Sequence, residues 1–457
     1  MRPGGSAFRP RWALWKATAL PRGAGATPPV GSKRWKRPRP HRGWGQQVLA
    51  ATRPGPACEQ DPPLEEEAHS EDCLRLHVWT VDPAPSAPAP VIVLFHDGFL
   101  AHGSAMHAWP RPPLLPGTVS ITVNYRLGTL GFLALETLSV ESPRGVSGNY
   151  GLLDCIAALR FIQRNAAAFG GDSRRVTVYG HRSGGSLVLA LLASPLAKGL
   201  FQRAVALSPS PRLNATLPEA QWHWHPTILN RTTCRDVGKG ALDRLRECLR
   251  GLPAPVLARA APSHDDPTSR LDHVAAPRLV IDGYAIAEDY LTAFSSGGAG
   301  TAGEAVPTLL GAGGPGAWGG PEPGASVEAR DPWAALASVH GPSLAAAVVA
   351  AYGPKIPFDT VVEDATRVCP ALYLASAMAL GWRAPLYVVG GPVGVNASIM
   401  TEFAASGTIA GWRDRFSEER RYDTPYYVHV NGTAMKNWKS SLCRVWHAHY
   451  PTFARAD

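Results

Sequence analysis

The stretch Val176-Thr177-Val178-Tyr179-Gly180-His181-Arg182-Ser183-Gly184-Gly185 constrains this chain more than any other. Its β-branched start predicts a strand, the glycines at 180 and 184 a tight turn, and the apolar run Leu187 to Leu192 a helix. Strand, glycine-flanked turn and helix in direct succession are the layout of a nucleophile elbow, which presents one side chain at a helix N-terminus. At the position between the glycines where such an elbow carries its serine stands Arg182. Ser183 follows one step later.

The flanking sequence predicts a sheet on which this elbow sits. Cys73 to Trp79 alternates as a strand does, while Val91 to Phe95 and Ser120 to Asn124 are short runs suited to strands buried on both faces. Gly151 to Ala168 reads as a helix, and Gln202 to Ser208, Val306 to Leu310 and Pro385 to Val389 as further strands. Two more helices are expected within Gly238–Gly251 and Ala371–Leu380. This alternation implies an α/β fold with a doubly wound, mostly parallel sheet and helices on both faces. Residues 1–24 have no usable periodicity and read as disordered or as an atypical first segment, leaving 25–457 as a single domain. Ser295 to Pro332, dense in Gly, Pro and Ala, reads as loop.

Charge is unevenly placed. The first 53 residues hold twelve Lys and Arg and no Asp or Glu, so the basicity of a +9 chain is an N-terminal property. The run Lys33 to Arg39 carries no stacking module or zinc spacing, and is read as a solvated basic edge rather than a nucleic-acid patch. No apolar run reaches the ~18 residues of a membrane span, and Met1 to Gly25 lacks the apolar core of a signal peptide. Four N-glycosylation sequons stand at Asn214, Asn230, Asn396 and Asn431. Of seven cysteines none forms a C-x-x-C pair, which argues against a metal site, and no cofactor is implied. Cys155, inside a helical pattern, reads as a buried thiol.

Several ordered blocks resemble the carboxylesterase/cholinesterase branch of the α/β-hydrolases, a family that includes the non-enzymatic neuroligins. They are Ser70-Glu71-Asp72-Cys73-Leu74, Asn124-Tyr125-Arg126-Leu127-Gly128, Gly131-Phe132-Leu133, Gly148 to Asp154, Ala168 to Asp172 and Gly199-Leu200-Phe201. The resemblance implies disulfides Cys58–Cys73, Cys234–Cys248 and Cys369–Cys443, with Cys155 left free. Together with the sequons these imply a secreted or extracellular protein. It also implies that the family's N-terminal hairpin and catalytic-His loop are missing, so an atypical N-terminus and an exposed sheet edge are expected.

The family's chemistry does not carry over residue by residue. Its G-E-S-A-G elbow is Gly180-His181-Arg182-Ser183-Gly184 here, and its H-G-G-G-F oxyanion loop is His96-Asp97-Gly98-Phe99-Leu100. The acid should follow the strand Val306 to Leu310, yet Gly311 to Gly316 contains none, and Glu322 and Glu328 lie beyond that loop. The His loop should follow Val389, but Gly390 to Asn396 leads directly to Met400–Gly407, which resembles a later family segment. His429, His447 and His449 match other family positions and read as surface or packing residues. Arg182 is expected to pair with Asp97 or another acid, the alternative being a small anion-binding pocket.

The functional expectation is therefore a catalytically inactive family member acting as a secreted or cell-surface binding or adhesion module, with an extracellular protein as its partner. A hydrolase with residual activity at Ser183, and a degenerate product that folds poorly, are the alternatives. Oligomeric state is not readable from these residues.

Overall fold

The computed structural model describes residues 12–13, 33–40, 54–107 (without 66 and 81), 117–209, 215–236, 242–261, 279–295 and 306–312. Of the remainder it describes 333–334, 337, 341–353, 360–361, 364–381, 386–390, 397–410, 412, 427–430, 433–436 and 439–447. Its strands are β1 (Trp12–Ala13), β2 (Ala57–Cys58), β3 (His69–Ser70), β4 (Leu76–Trp79), β5 (Ala89–Phe95) and β6 (Val119–Val123). They continue with β7 (Gly171–His181), β8 (Arg203–Leu207), β9 (Thr308–Ala312), β10 (Leu386–Gly390), β11 (Tyr427–Val430) and β12 (Thr433–Lys436).

All but β2 and β3 belong to one sheet ordered β1-β4-β6-β5-β7-β8-β9-β10-β11-β12. From β6 to β11 every neighbouring pair is parallel, and the antiparallel pairs lie at the two edges. The parallel core explains the apolar runs: from Pro90 to Phe95 every residue of β5 is buried, because helices cover both faces. The helices that matter for the site are α1 (Gly128–Phe132), α2 (Glu136–Glu141), α3 (Tyr150–Asn165), α4 (Ser183–Ala193) and α5 (Leu217–Asn230).

The strand order fixes where a site can form. After β5 the chain crosses to β6 on one side, then returns to place β7 on the other side of β5. The connections leaving the carboxyl ends of β5 and β7 therefore diverge, and a crevice opens between them at this switch point. The loop that begins at His96 and the turn at Arg182 are the two walls of that crevice. Helix α4 runs back from it through the core, and its residues from Gly184 to Ala193 are all buried, as its unbroken apolar sequence requires.

Three features depart from or extend the sequence reading. Trp12–Ala13, within the stretch expected to lack structure, pair antiparallel with Val78–Trp79 of β4, so the β4 edge is covered there. The basic run is only partly a solvated edge: Lys36 and Arg39 are exposed, but Arg34 and Trp35 are docked. Arg34 is buried and makes a bidentate pair with Glu71 (2.7 Å on both oxygens), while Trp35 Nε1 donates to Thr129 O at 2.8 Å. Burying that guanidinium requires this exchange of water for carboxylate and carbonyl acceptors. The bridges Cys58–Cys73, Cys234–Cys248 and Cys369–Cys443 are all formed, and Cys155 is free and buried.

Candidate functional site

The elbow is built by close backbone approach. A Cβ at Gly180 would lie 2.0 Å from Gly184 O, and one at Gly184 would lie 2.3 Å from Phe95 O, so no side chain fits at either position. Strand β7, the first turn of α4 and the end of β5 meet at these two glycines. The residue between them turns the chain with φ 50° and ψ −116°, a conformation that a non-glycine residue adopts at a cost on the order of 1–3 kcal/mol. The surroundings hold it there: Arg182 N–H donates to Leu207 O and Ser186 N–H to Arg182 O, both at 2.8 Å. The backbone of a nucleophile elbow is thus intact. Its side chain is a guanidinium.

Asp97 occupies the position opposite. Its Oδ1 accepts from Gly98 N–H at 2.6 Å, Ser183 Oγ at 3.0 Å and Ser183 N–H at 3.3 Å. The backbone N–H groups of Gly98 and Ser183 thus converge on a carboxylate supplied by the chain itself. Asp97 Oδ2 lies 3.8 Å from Arg182 Nη1, and the Arg182 side chain is only 11 % exposed. The pairing of Arg182 with Asp97 is as the sequence reading expects. The proximity of Ser183 to the same carboxylate is not visible in sequence, since 86 residues separate them.

The loop from His96 is held from beneath. The His96 ring stacks on Tyr125 at 4.3 Å, Tyr125 OH donates to His96 O at 2.8 Å, and Asn124 Oδ1 accepts from Ala105 N–H at 2.7 Å. Asn124 Nδ2 donates in turn to Pro56 O and Cys73 O, joining this loop to the first disulfide. His96 Nδ1 faces Asp97 O at 2.8 Å, and since a carbonyl only accepts, Nδ1 carries the proton. Burial pushes this imidazole down to about 4, although the hydrogen bond to Asp97 O opposes the shift. It is neutral at pH 7, and its Nε2 has no hydrogen-bond partner among the described residues. Arg126 and Asp154, on the next layer, form a two-point ion pair at 2.7 and 2.8 Å. The motif residues Asn124, Tyr125, Arg126 and Asp154 therefore support the crevice, a role their sequence alone does not disclose.

Gly98 and Phe99 both have positive φ, 120° and 57°. At Gly98 a Cβ would strike His102 O at 2.1 Å, so that glycine is sterically required. His181 is buried behind the elbow. Strand β9 ends at Ala312 beside β8, where the family's acid loop would begin, but residues 313–332, with Glu322 and Glu328, lie outside the described residues. So do Gly391–Asn396, His449 and the sequons at Asn214, Asn396 and Asn431. His429 falls in β11 and His447 in the helix Ser440–His447. No cluster of metal-binding side chains exists among the described residues, nor any helix long and apolar enough to cross a membrane. A cavity of about 780 Å³ flanks α3, lined by Arg75, Ile156, Phe161 and Leu196, and takes no lining residue from the elbow.

A parallel sheet with the elbow at its switch point defines an α/β-hydrolase. The chain belongs to the carboxylesterase family, whose model matches residues 26–314. It is 42 % identical over 207 residues to a fumonisin B1 esterase of Sphingopyxis macrogoltabida, covering 43 % of this chain and 37 % of that protein. It is 41 % identical over 201 residues to the para-nitrobenzyl esterase of Bacillus subtilis (strain 168), covering 41 % and 39 %. These matches thus span less than two fifths of the relatives' length. A solved PNB esterase superposes with a TM-score of 0.71 at 25 % identity, over 94 % of this chain and 95 % of that one.

Proposed function

We propose that this chain is a non-hydrolytic carboxylesterase-family protein that serves as a secreted or cell-surface binding module. One observation carries the reading: the elbow position that presents a nucleophile presents Arg182, its guanidinium 3.8 Å from Asp97. A guanidinium is charged at every relevant pH and does not attack a carbonyl. Loss of one triad member commonly lowers turnover by ~10⁴ to 10⁶. Here the sequence also lacks an acid in Gly311–Gly316, and Asp97 fills the donors needed by an oxyanion. The three disulfides support passage through an oxidising compartment, and the intact sheet supplies a rigid scaffold for recognition.

A hydrolytic reading has two points in its favour. The relatives are named as esterases, and Ser183 Oγ is hydrogen-bonded to a carboxylate. Against it, Asp97 Oδ1 already accepts from two backbone N–H groups while Oδ2 faces Arg182, so the carboxylate is engaged on both oxygens.

The experiment is direct. The full chain, produced behind a heterologous secretion leader, is assayed with an activated short-chain ester and an organophosphate probe. Turnover at background with no labelling is expected. Labelling at Ser183 that vanishes in Ser183→Ala establishes the hydrolytic reading instead. Saturable binding of the purified protein to a panel of intact cells is the positive test of the module, and its absence across the panel removes that part.

A further inference from the structure

We infer that Asn230 is a site of N-glycosylation. Asn230-Arg231-Thr232 is a sequon at a helix boundary: Asn230 is the last residue of α5, and Arg231 is its C-cap. The Asn230 side chain is exposed and makes no hydrogen bond among the described residues. On the same helix Trp224 and Ile228 face the core, while Pro226, one turn before Asn230, is exposed. A carbohydrate on Asn230 thus projects into solvent without displacing packed side chains.

Thr232 has a separate structural task. Its Oγ1 donates to Ile228 O at 2.6 Å, satisfying a carbonyl that the helix end would leave open. The fold therefore accounts for a hydroxyl residue at 232 but requires nothing at 230. The site rests on the secretory part of the function proposed above, because the transferase works in the compartment where disulfides form. The bridge Cys234–Cys248 begins four residues after Asn230.

The step is a group transfer. Asn230 Nδ2 attacks C1 of an oligosaccharide carried on a lipid pyrophosphate. The C1–O bond breaks, the lipid pyrophosphate departs with the electron pair, and Nδ2 gives up one proton to the transferase's base. Nothing is oxidised or reduced.

The test imposes entry into the secretory pathway by placing the full chain behind a heterologous leader, so that failure at Asn230 is distinct from failure of native secretion. Total lumenal and secreted protein is digested after treatment with peptide-N-glycosidase in heavy-oxygen water. The Asn230 peptide is expected to carry the labelled Asn-to-Asp conversion in the wild type and in Thr232→Ser, and to lack it in Thr232→Ala. Asn230→Gln should lose one glycan's mobility shift yet keep the wild-type melting temperature, whereas Thr232→Ala should lower it. Reading the retained protein as well as the secreted keeps the outcome independent of folding. An unmodified Asn230 peptide in disulfide-bonded wild-type protein overturns the inference.

Discussion

Asp97 and Arg182 face each other across the crevice, 3.8 Å apart. Removing Asp97 takes the acceptor away from Gly98 N–H, Ser183 N–H and Ser183 Oγ as well as the charge facing Arg182, whereas removing Arg182 leaves those three hydrogen bonds in place. Asp97→Gly is therefore expected to cost more than Arg182→Ser, each on the order of 1–2 kcal/mol given the 3.8 Å separation and the partial exposure of Asp97. The double variant should cost less than the sum, by on the order of 1 kcal/mol. Urea unfolding of the four proteins measures the coupling, and strict additivity would show that the pair is incidental. On the non-hydrolytic function proposed above, ester turnover in the double variant should stay at background, and turnover above it would overturn that proposal.

Elements were legible where their cause is local. The strands expected at 91–95, 120–124 and 202–208 are observed at Ala89–Phe95, Val119–Val123 and Arg203–Leu207, because a strand buried on both faces is dominated by apolar and β-branched residues. The elbow was legible for a steric reason, since Gly180 and Gly184 are the only residue type that fits. What sequence did not disclose were contacts between distant residues. Arg34 read as solvated because its acid, Glu71, is 37 positions away, and Asp97 gave no sign of reaching Ser183. The C-terminal elements show the same dependence. Buried Asp364 accepts from Lys439 Nζ at 2.6 Å and Tyr352 OH at 3.0 Å, and Trp446 Nε1 donates to Tyr352 OH at 2.9 Å. This network ties the helix Ser440–His447 to the helix Pro342–Tyr352. Burial raises the Asp364 carboxyl while Lys439 pulls it back, so Lys439→Met strands an acid in the core. A loss of about 3–5 kcal/mol is expected. Adding Asp364→Asn should restore much of it. Early release of the C-terminal helix in hydrogen exchange would report the single variant, and unchanged protection would refute the tie.

At the scale of the whole molecule, two properties integrate over the sheet and its covering elements. The first is acid sensitivity. Burial pushes both His77 and His96 down to about 4 from an ordinary 6.5. Above pH 6.5 both rings are neutral in the folded and the unfolded chain. Between 6.5 and about 4 only the unfolded chain takes up these protons, so stability falls as pH falls through that window, by up to ~3 kcal/mol per ring. Between pH 7, 5.5 and 4.5 the melting temperature of wild type should fall more steeply than that of His77→Gln/His96→Gln, whatever their offset at pH 7, and parallel profiles would refute the assignment. The second is covalent closure. Cys58–Cys73 spans 15 residues and joins the start of β4 to the short β2 strand, whereas Cys369–Cys443 spans 74 and fixes the last helix against the helix Cys369–Gly381. If the bridges act by restricting the unfolded chain, their contributions are about 3 and about 4.5 kcal/mol. Cys369→Ser/Cys443→Ser should then destabilise by about 1–1.5 kcal/mol more than Cys58→Ser/Cys73→Ser. The smaller loop, however, lies beside Asn124, whose amide donates to Cys73 O and whose carbonyl holds Ala105. Its removal should also loosen the loop from His96, seen as faster exchange at Ala105 N–H. Urea midpoints in the reverse order would mean that native-state support of the crevice outweighs loop closure.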